Sequence, residues 1–110
     1  MTTQTPGLET LHFEFDGSRP AGHFAPILVG VVGSGNLEVL FEPAPSRPCS
    51  FDVQTSARGF GVIWEAVLRD FQQRHDLAGV RVSINDMGAT PAVVSLRLSQ
   101  AAAELPEVKA

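Results

Sequence analysis

Cysteine is almost missing from this chain: Cys49 is the only one in 110 residues. No internal disulfide can form, and the expected compartment is a reducing one, the cytoplasm. Basic residues are few and scattered, as Arg19, Arg47, Arg58, Arg69, Arg74, Arg81, Arg97 and Lys109. No run of them could neutralise a row of phosphates, and the net charge is −4, so nucleic acid is not an expected partner. Long apolar runs are missing too. The longest, Ala25 to Val32, is broken by Pro26 and falls far short of the roughly 20 residues of a membrane span. No basic segment precedes it, so neither a signal peptide nor a membrane partner is expected. The histidines His12, His23 and His75 lack metal-ligand spacing, and with one cysteine no metal site is expected.

What is present suits one folded domain. The chain is 44% apolar and 18% charged, which argues against wholesale disorder. A chain this short buries roughly 65% of its unfolded surface, enough for one modest core. Residues 1–7, with Pro6, read as a flexible tail; residues 8–103 form the domain, and 104–110, with Pro106, form a second tail.

Within the domain, Leu8 to Phe15 alternates, with Leu11, Phe13 and Phe15 on one face, and predicts a strand. Ile27 to Val32 is a short β-branched run, and Leu37 to Glu42 (LEVLFE) alternates again. The four residues Gly33-Ser34-Gly35-Asn36 between them predict a hairpin turn. Pro43, Pro45 and Pro48 force a connection, after which Phe51 to Thr55 resumes alternation. Phe60, Ile63, Trp64, Val67, Leu68 and Phe71 make one stripe at helical spacing, predicting an amphipathic helix over about 60–75 whose apolar face is core. Val80, Val82 and Ile84 predict a strand, Asn85 to Gly88 a turn, and Val94, Leu96 and Leu98 a last strand. The expected fold is α+β: a small antiparallel or mixed sheet of five to six strands with one main helix on one face.

"GVVGSG", Gly30 to Gly35, looks at first like a phosphate-cradling loop. Such loops work at the N-terminus of a helix, and here a period-two strand follows, with no lysine after the last glycine. Ser34, flanked by Gly33 and Gly35, is then either an ordinary turn residue or a hydroxyl handle that a modifying enzyme can reach. A hydrolytic nucleophile is disfavoured, because Val32 stands where the first glycine of G-x-S-x-G belongs and no helix follows. It would also need a base, and nothing in the sequence puts His12, His23 or His75 beside Ser34. Cys49 reads as semi-buried and inert. Asp86 reads as a turn residue bonding its own backbone.

Four stretches together resemble a known family. "LETLHFEF", "VVGSGNLEVLFEP" (Val31 to Pro43), "VQTSA" ahead of a helix with Trp64, and "INDMGATPAVVSLRLSQA" (Ile84 to Ala101) are similar to the acyl carrier subunit of bacterial malonate decarboxylase. A weaker likeness, through the "ND.GA" turn, reaches the citrate lyase acyl carrier subunit. The family often has aspartate where this chain has Asn36.

The resemblance implies a non-catalytic carrier. Ser34 would hold a 2'-(5''-phosphoribosyl)-3'-dephospho-coenzyme A arm through a phosphodiester, and the arm's thiol would bear acetyl and malonyl thioesters. It implies as partners the acyl-transferase and decarboxylase subunits, and the transferase that attaches the arm (a holo-carrier synthase). The chain has neither the D-S-L motif nor enough helices for a helical-bundle carrier, so the scaffold is expected to differ. The alternative is an interaction module with no covalent group.

Overall fold

The computed structural model describes residues 8–31 and 34–106. Strands β1 (Glu9–Phe15), β3 (Ile27–Val31), β4 (Ser34–Pro43), β5 (Cys49–Thr55) and β7 (Val80–Asp86) form one sheet in the order β1-β5-β7-β4-β3. Pairing is antiparallel throughout except between β5 and β7. Parallel neighbours need a long crossover, which α1 (Gly61–His75) supplies. Two short strands, β2 (Arg19–Pro20) and β6 (Leu77–Ala78), pair in parallel at the end where α1 finishes.

Alternation decides which face of the sheet is covered. Val39 and Phe41, Phe51 and Val53, Val82 and Ile84 are all buried, and on them lie Trp64, Leu68 and Phe71 of α1. Phe71 meets Phe41 and Phe51 edge-on, with ring centroids 6.3 and 6.2 Å apart. The register carries the other face across the sheet as His12, Asp52, Ser83, Leu40 and Leu28, and among the described residues no helix covers it.

The α+β class and the helix over 60–75 are as expected, but the last strand is not. Residues 91–103, read as a strand at Val94, Leu96 and Leu98, form a second helix, α2 (Pro91–Ala103). Two local signals outweigh the alternation. Thr90 caps the helix, its hydroxyl accepting from the Val93 N–H at 3.3 Å, and Pro91 occupies the first turn. Val94, Leu98 and Ala101 also fit helical spacing, and they are the buried residues of α2. Leu96 separates the two periods, and it is 55% exposed where Leu98 is 0%. Leu98→Ala is therefore expected to cost at least about 2 kcal/mol, whereas Leu96→Ala stays within about 0.5 kcal/mol. Denaturant titration of both variants checks this, and equal costs would contradict a helix.

The stripe on α1 is only partly core. Trp64, Leu68 and Phe71 are buried, but Phe60 and Ile63, nearest the N-terminus of α1, are about half exposed.

His12 ties the edge strand to β5 on the open face. Its Nδ1 is 2.6 Å from Asp52 and its Nε2 3.0 Å from Glu14. Hydrogen bonding to Asp52, then to Glu14, raises its pKa. A raised folded-state value means the contribution is full below the unfolded pKa of about 6.5. It is lost as pH climbs through the folded value. The stability gap between the wild type and His12→Gln should therefore be widest in acid and close toward pH 8, as read by thermal melts across that range.

Candidate functional site

The strand directions gather one set of ends. The ends of β3, β5 and β7, the starts of β1 and β4, and the N-termini of both helices lie at the same edge of the fold. Pairing of β4 with β7 stops at Leu37 opposite Asp86. Residues Ser34, Gly35 and Asn36 continue β4 beyond that point, paired on β3 through Val31 opposite Ser34. The β3–β4 ribbon therefore overhangs the end of β7, and Ser34 stands on the overhang. The Met87 N–H donates to the Asn36 carbonyl at 2.8 Å and ties the overhang to the end of β7.

The four-residue turn expected at Gly33 to Asn36 is corrected by this register. Ser34, Gly35 and Asn36 belong to β4, and Ser34 is its first residue. Gly33 and the Ser34 side chain lie outside the described residues. β4 starts at Ser34 rather than Leu37, and a register irregularity takes up the extra chain. Between the pairs Val29–Val39 and Val31–Ser34, the single residue Gly30 faces four residues of β4. Gly30 (φ 82°) and Asn36 (φ 57°) are both left-handed there. Asparagine is among the few side chains that adopt that region readily. At Gly30 a Cβ would come within 2.5 Å of the Leu37 carbonyl oxygen, so any side chain is excluded.

Asp86 holds the base of the overhang. Its carboxylate is buried and accepts from the N–H groups of Gly88 at 3.2 Å and Ala89 at 2.8 Å, the expected turn role. The other oxygen accepts from the buried Thr55 hydroxyl at 2.7 Å, a contact between β7 and β5 that the sequence did not disclose. Thr55 Oγ1 in turn accepts from the Ala57 N–H at 3.0 Å. One carboxylate thus fixes the ends of two strands and the approach to α2.

Beside it is an apolar cleft of about 270 Å³ between the N-terminal turns of the helices, lined by Phe60, Ile63, Trp64, Val67 and Val94 among others. A larger groove of about 600 Å³ runs between β1 and α1 past Phe15 and Arg69. It lies at the opposite edge of the sheet from the ribbon and has no bearing on Ser34.

No histidine is brought to Ser34. His12 is in β1, three strand spacings of about 4.8 Å from β4. His75 ends α1 at the opposite end of the sheet, its ring 4.4 Å from Phe71 and its pKa lowered by burial, then by Arg74 and Arg19. His23 precedes β3 at that same far end. Among the described residues no three metal-binding side chains converge. Cys49 is wholly buried rather than semi-buried, and burial pushes its thiol up to about 12. Among the described residues no helix is long and apolar enough to cross a membrane.

The backbone of Ser34 stands on a projecting ribbon, and His12, His23 and His75 all lie away from it. Known proteins agree on what the chain resembles. Residues 25–105 match the family described as the malonate decarboxylase delta subunit (MdcD). A "malonate decarboxylase acyl carrier protein" of Burkholderia cepacia is 74% identical over 106 residues, spanning 96% of this chain and 98% of that protein. Its counterpart in Xanthomonas axonopodis pv. citri is 60% identical over 86% of this chain and 91% of its own. Among solved structures, a chain of a Pseudomonas malonate decarboxylase hetero-tetramer in complex with malonate superposes with a TM-score of 0.79, at 41% identity over 89% of this chain and 99% of that one. Shared sequence along nearly the full length and a shared fold give one conclusion: this chain belongs to the malonate decarboxylase acyl carrier (delta subunit) family.

Proposed function

We propose that this chain is the non-catalytic acyl carrier subunit of a malonate decarboxylase complex, with Ser34 as the attachment point of a phosphoribosyl-dephospho-coenzyme A arm. The observation that carries the reading is the overhanging β3–β4 ribbon, which sets Ser34 beyond the end of β7. A serine hydroxyl alone is a weak nucleophile, so the attaching transferase has to supply the base and hold the donor. The protein's own part in this reading is to present that oxygen on the irregular β3–β4 ribbon. Gly30 and Asn36 set the hairpin's course, and Asp86 anchors its base.

The arm, once attached, supplies a thiol that carries the acyl group. A tether of this kind gives each partner active site a high effective concentration of the same thioester. Its usefulness depends on there being no competing thiol, and buried Cys49 satisfies that condition. The partners in this reading are the acyl-transferase and decarboxylase subunits. The net charge of −4 suits docking on basic surfaces, so assembly should weaken as salt rises.

The test is the intact mass of the chain purified from a host that makes the whole complex. The expected result is a mass above that of the sequence, by the arm alone after mild hydrolysis of thioesters, mapping to the peptide containing Ser34. The native protein should then show one fast-reacting thiol, with a second released only on unfolding. An unmodified chain that still joins its complex would leave the interaction-module reading in place of this one.

A further inference from the structure

The two edges of the main sheet are finished differently. At the β3 edge the strand has five residues, Pro26 comes just before it, and its register breaks at Gly30. Short strands, prolines and irregularities of this kind keep an edge from taking on another strand. At the other edge β1 runs for seven residues in unbroken register with β5, without proline or glycine. Among the described residues β5 is its one strand partner, so its outer backbone groups are open to a further strand. The core side of β1 is also incompletely covered. Leu11, Phe13 and Phe15 are half-buried, while Val53, Phe51 and Cys49, opposite them on β5, are fully buried.

The groove between β1 and α1 adds a preference of charge. Four carboxylates line it, those of Glu14, Asp16, Glu65 and Asp76. Arg69, paired with Glu65, and Arg19, close to Asp76, offset two of them, and the balance stays negative. Gln72 lies under the groove and is only 5% exposed. Its amide nitrogen donates to the Asp16 carbonyl at 3.1 Å and the Leu77 carbonyl at 2.7 Å. Its buried Oε1 has no donor among the described residues, a costly state that a donor entering from the groove would relieve.

We infer that β1 and this groove bind an extended segment of a partner subunit, added as a strand beside β1 and carrying a lysine or arginine into the acidic groove. The inference rests on the reading of the chain as a subunit of a complex, and not on Ser34. A second copy of this chain is the wrong occupant, because two paired β1 strands would set two acidic grooves together. A basic segment has the opposite sign. Main-chain bonds to the edge would hold it, while its alternate side chains settle on Phe13 and Phe15. Docking here leaves the β3–β4 ribbon free, four strand spacings of about 4.8 Å away. A carrier held at one edge can thus offer the other to successive active sites.

The experiment is hydrogen exchange on the full chain, free and in the complex with its partner subunits. In the free chain every second β1 amide, those facing away from β5, should exchange quickly. In the complex those amides should slow at least about tenfold, while the β3 edge stays as it was. Asp16→Lys, at an exposed side chain whose backbone carbonyl keeps its bond from Gln72, should weaken assembly at least about tenfold. Glu104→Lys makes the same change of charge at the exposed end of α2 and should weaken it far less. A complex in which β1 exchanges as in the free chain overturns the inference and leaves the carrier reading intact, and so do equal losses from the two lysine variants. Slow β1 amides in the free chain would mean that a second copy or the chain's own ends take the edge, which overturns it too. A chain that gains no mass and joins no complex overturns both.

Discussion

Ser34→Ala is expected to remove the mass gain completely, not merely to slow it. The ester oxygen is the only atom the transferase can use at that position, and alanine has none. The fold should be indifferent to the change. Ser34 enters β4 through its backbone pairing with Val31, which alanine retains, and a substitution at such a site typically moves stability by less than about 0.5 kcal/mol. The purified variant should therefore melt with the wild type and still assemble with its partners, yet the complex should turn over no malonate. That combination separates loss of the handle from loss of the scaffold. Residual adduct on another serine, or full turnover by the variant, would move the attachment point away from Ser34.

Asp86→Ala should have the largest effect on stability of any polar substitution in the domain, about 4 kcal/mol, or a melting point lower by roughly 15–25 °C. The carboxylate accepts three bonds, from Gly88, Ala89 and Thr55, and alanine leaves all three donors without their acceptor. The Thr55 hydroxyl suffers most because it is wholly buried. Asp86→Asn is the informative companion. Its amide oxygen can still accept from the Gly88 and Ala89 N–H groups, while its NH₂ faces Thr55, whose hydroxyl must turn to accept. The cost should fall to roughly 1–2 kcal/mol. Chemical denaturation of the two variants reads the difference, and equal losses would mean that shape rather than hydrogen bonding holds the site. Because the Met87 N–H, next in sequence, bonds to Asn36, the alanine variant should also loosen the base of the ribbon. Loading at Ser34 should then slow even at temperatures where the variant is folded.

Several features could be read directly from residue order. Alternation at Leu11–Phe15, Leu37–Phe41, Phe51–Thr55 and Val80–Ile84 located four of the five main strands, because a one-sided sheet imposes a period of two on whatever it buries. The α1 stripe was legible for the same reason at a period of 3.6. α2 was not, because Val94 and Leu98 satisfy both periods and only the exposure of Leu96 separates them. The Thr90-Pro91 pair was the available signal, an N-cap followed by a residue suited to the first turn. Similarly, the Gly33–Asn36 turn followed from composition, but composition cannot report register. Gly30 and Asn36 take up the slack in the β3–β4 ribbon, and Ser34 becomes a strand residue.

What the chain's residues determined alone is therefore the class of the fold, the serine between glycines and the family motifs around it. Periodicity and composition are local, and they survive without knowledge of what packs on what. Only the tertiary arrangement decided that β4 runs on past β7, that Asp86 reaches Thr55 across two strands, and that Arg97 lies against Gly30. Those facts join residues 31 to 67 positions apart in sequence, and such distances are closed by packing of the core rather than by any local preference.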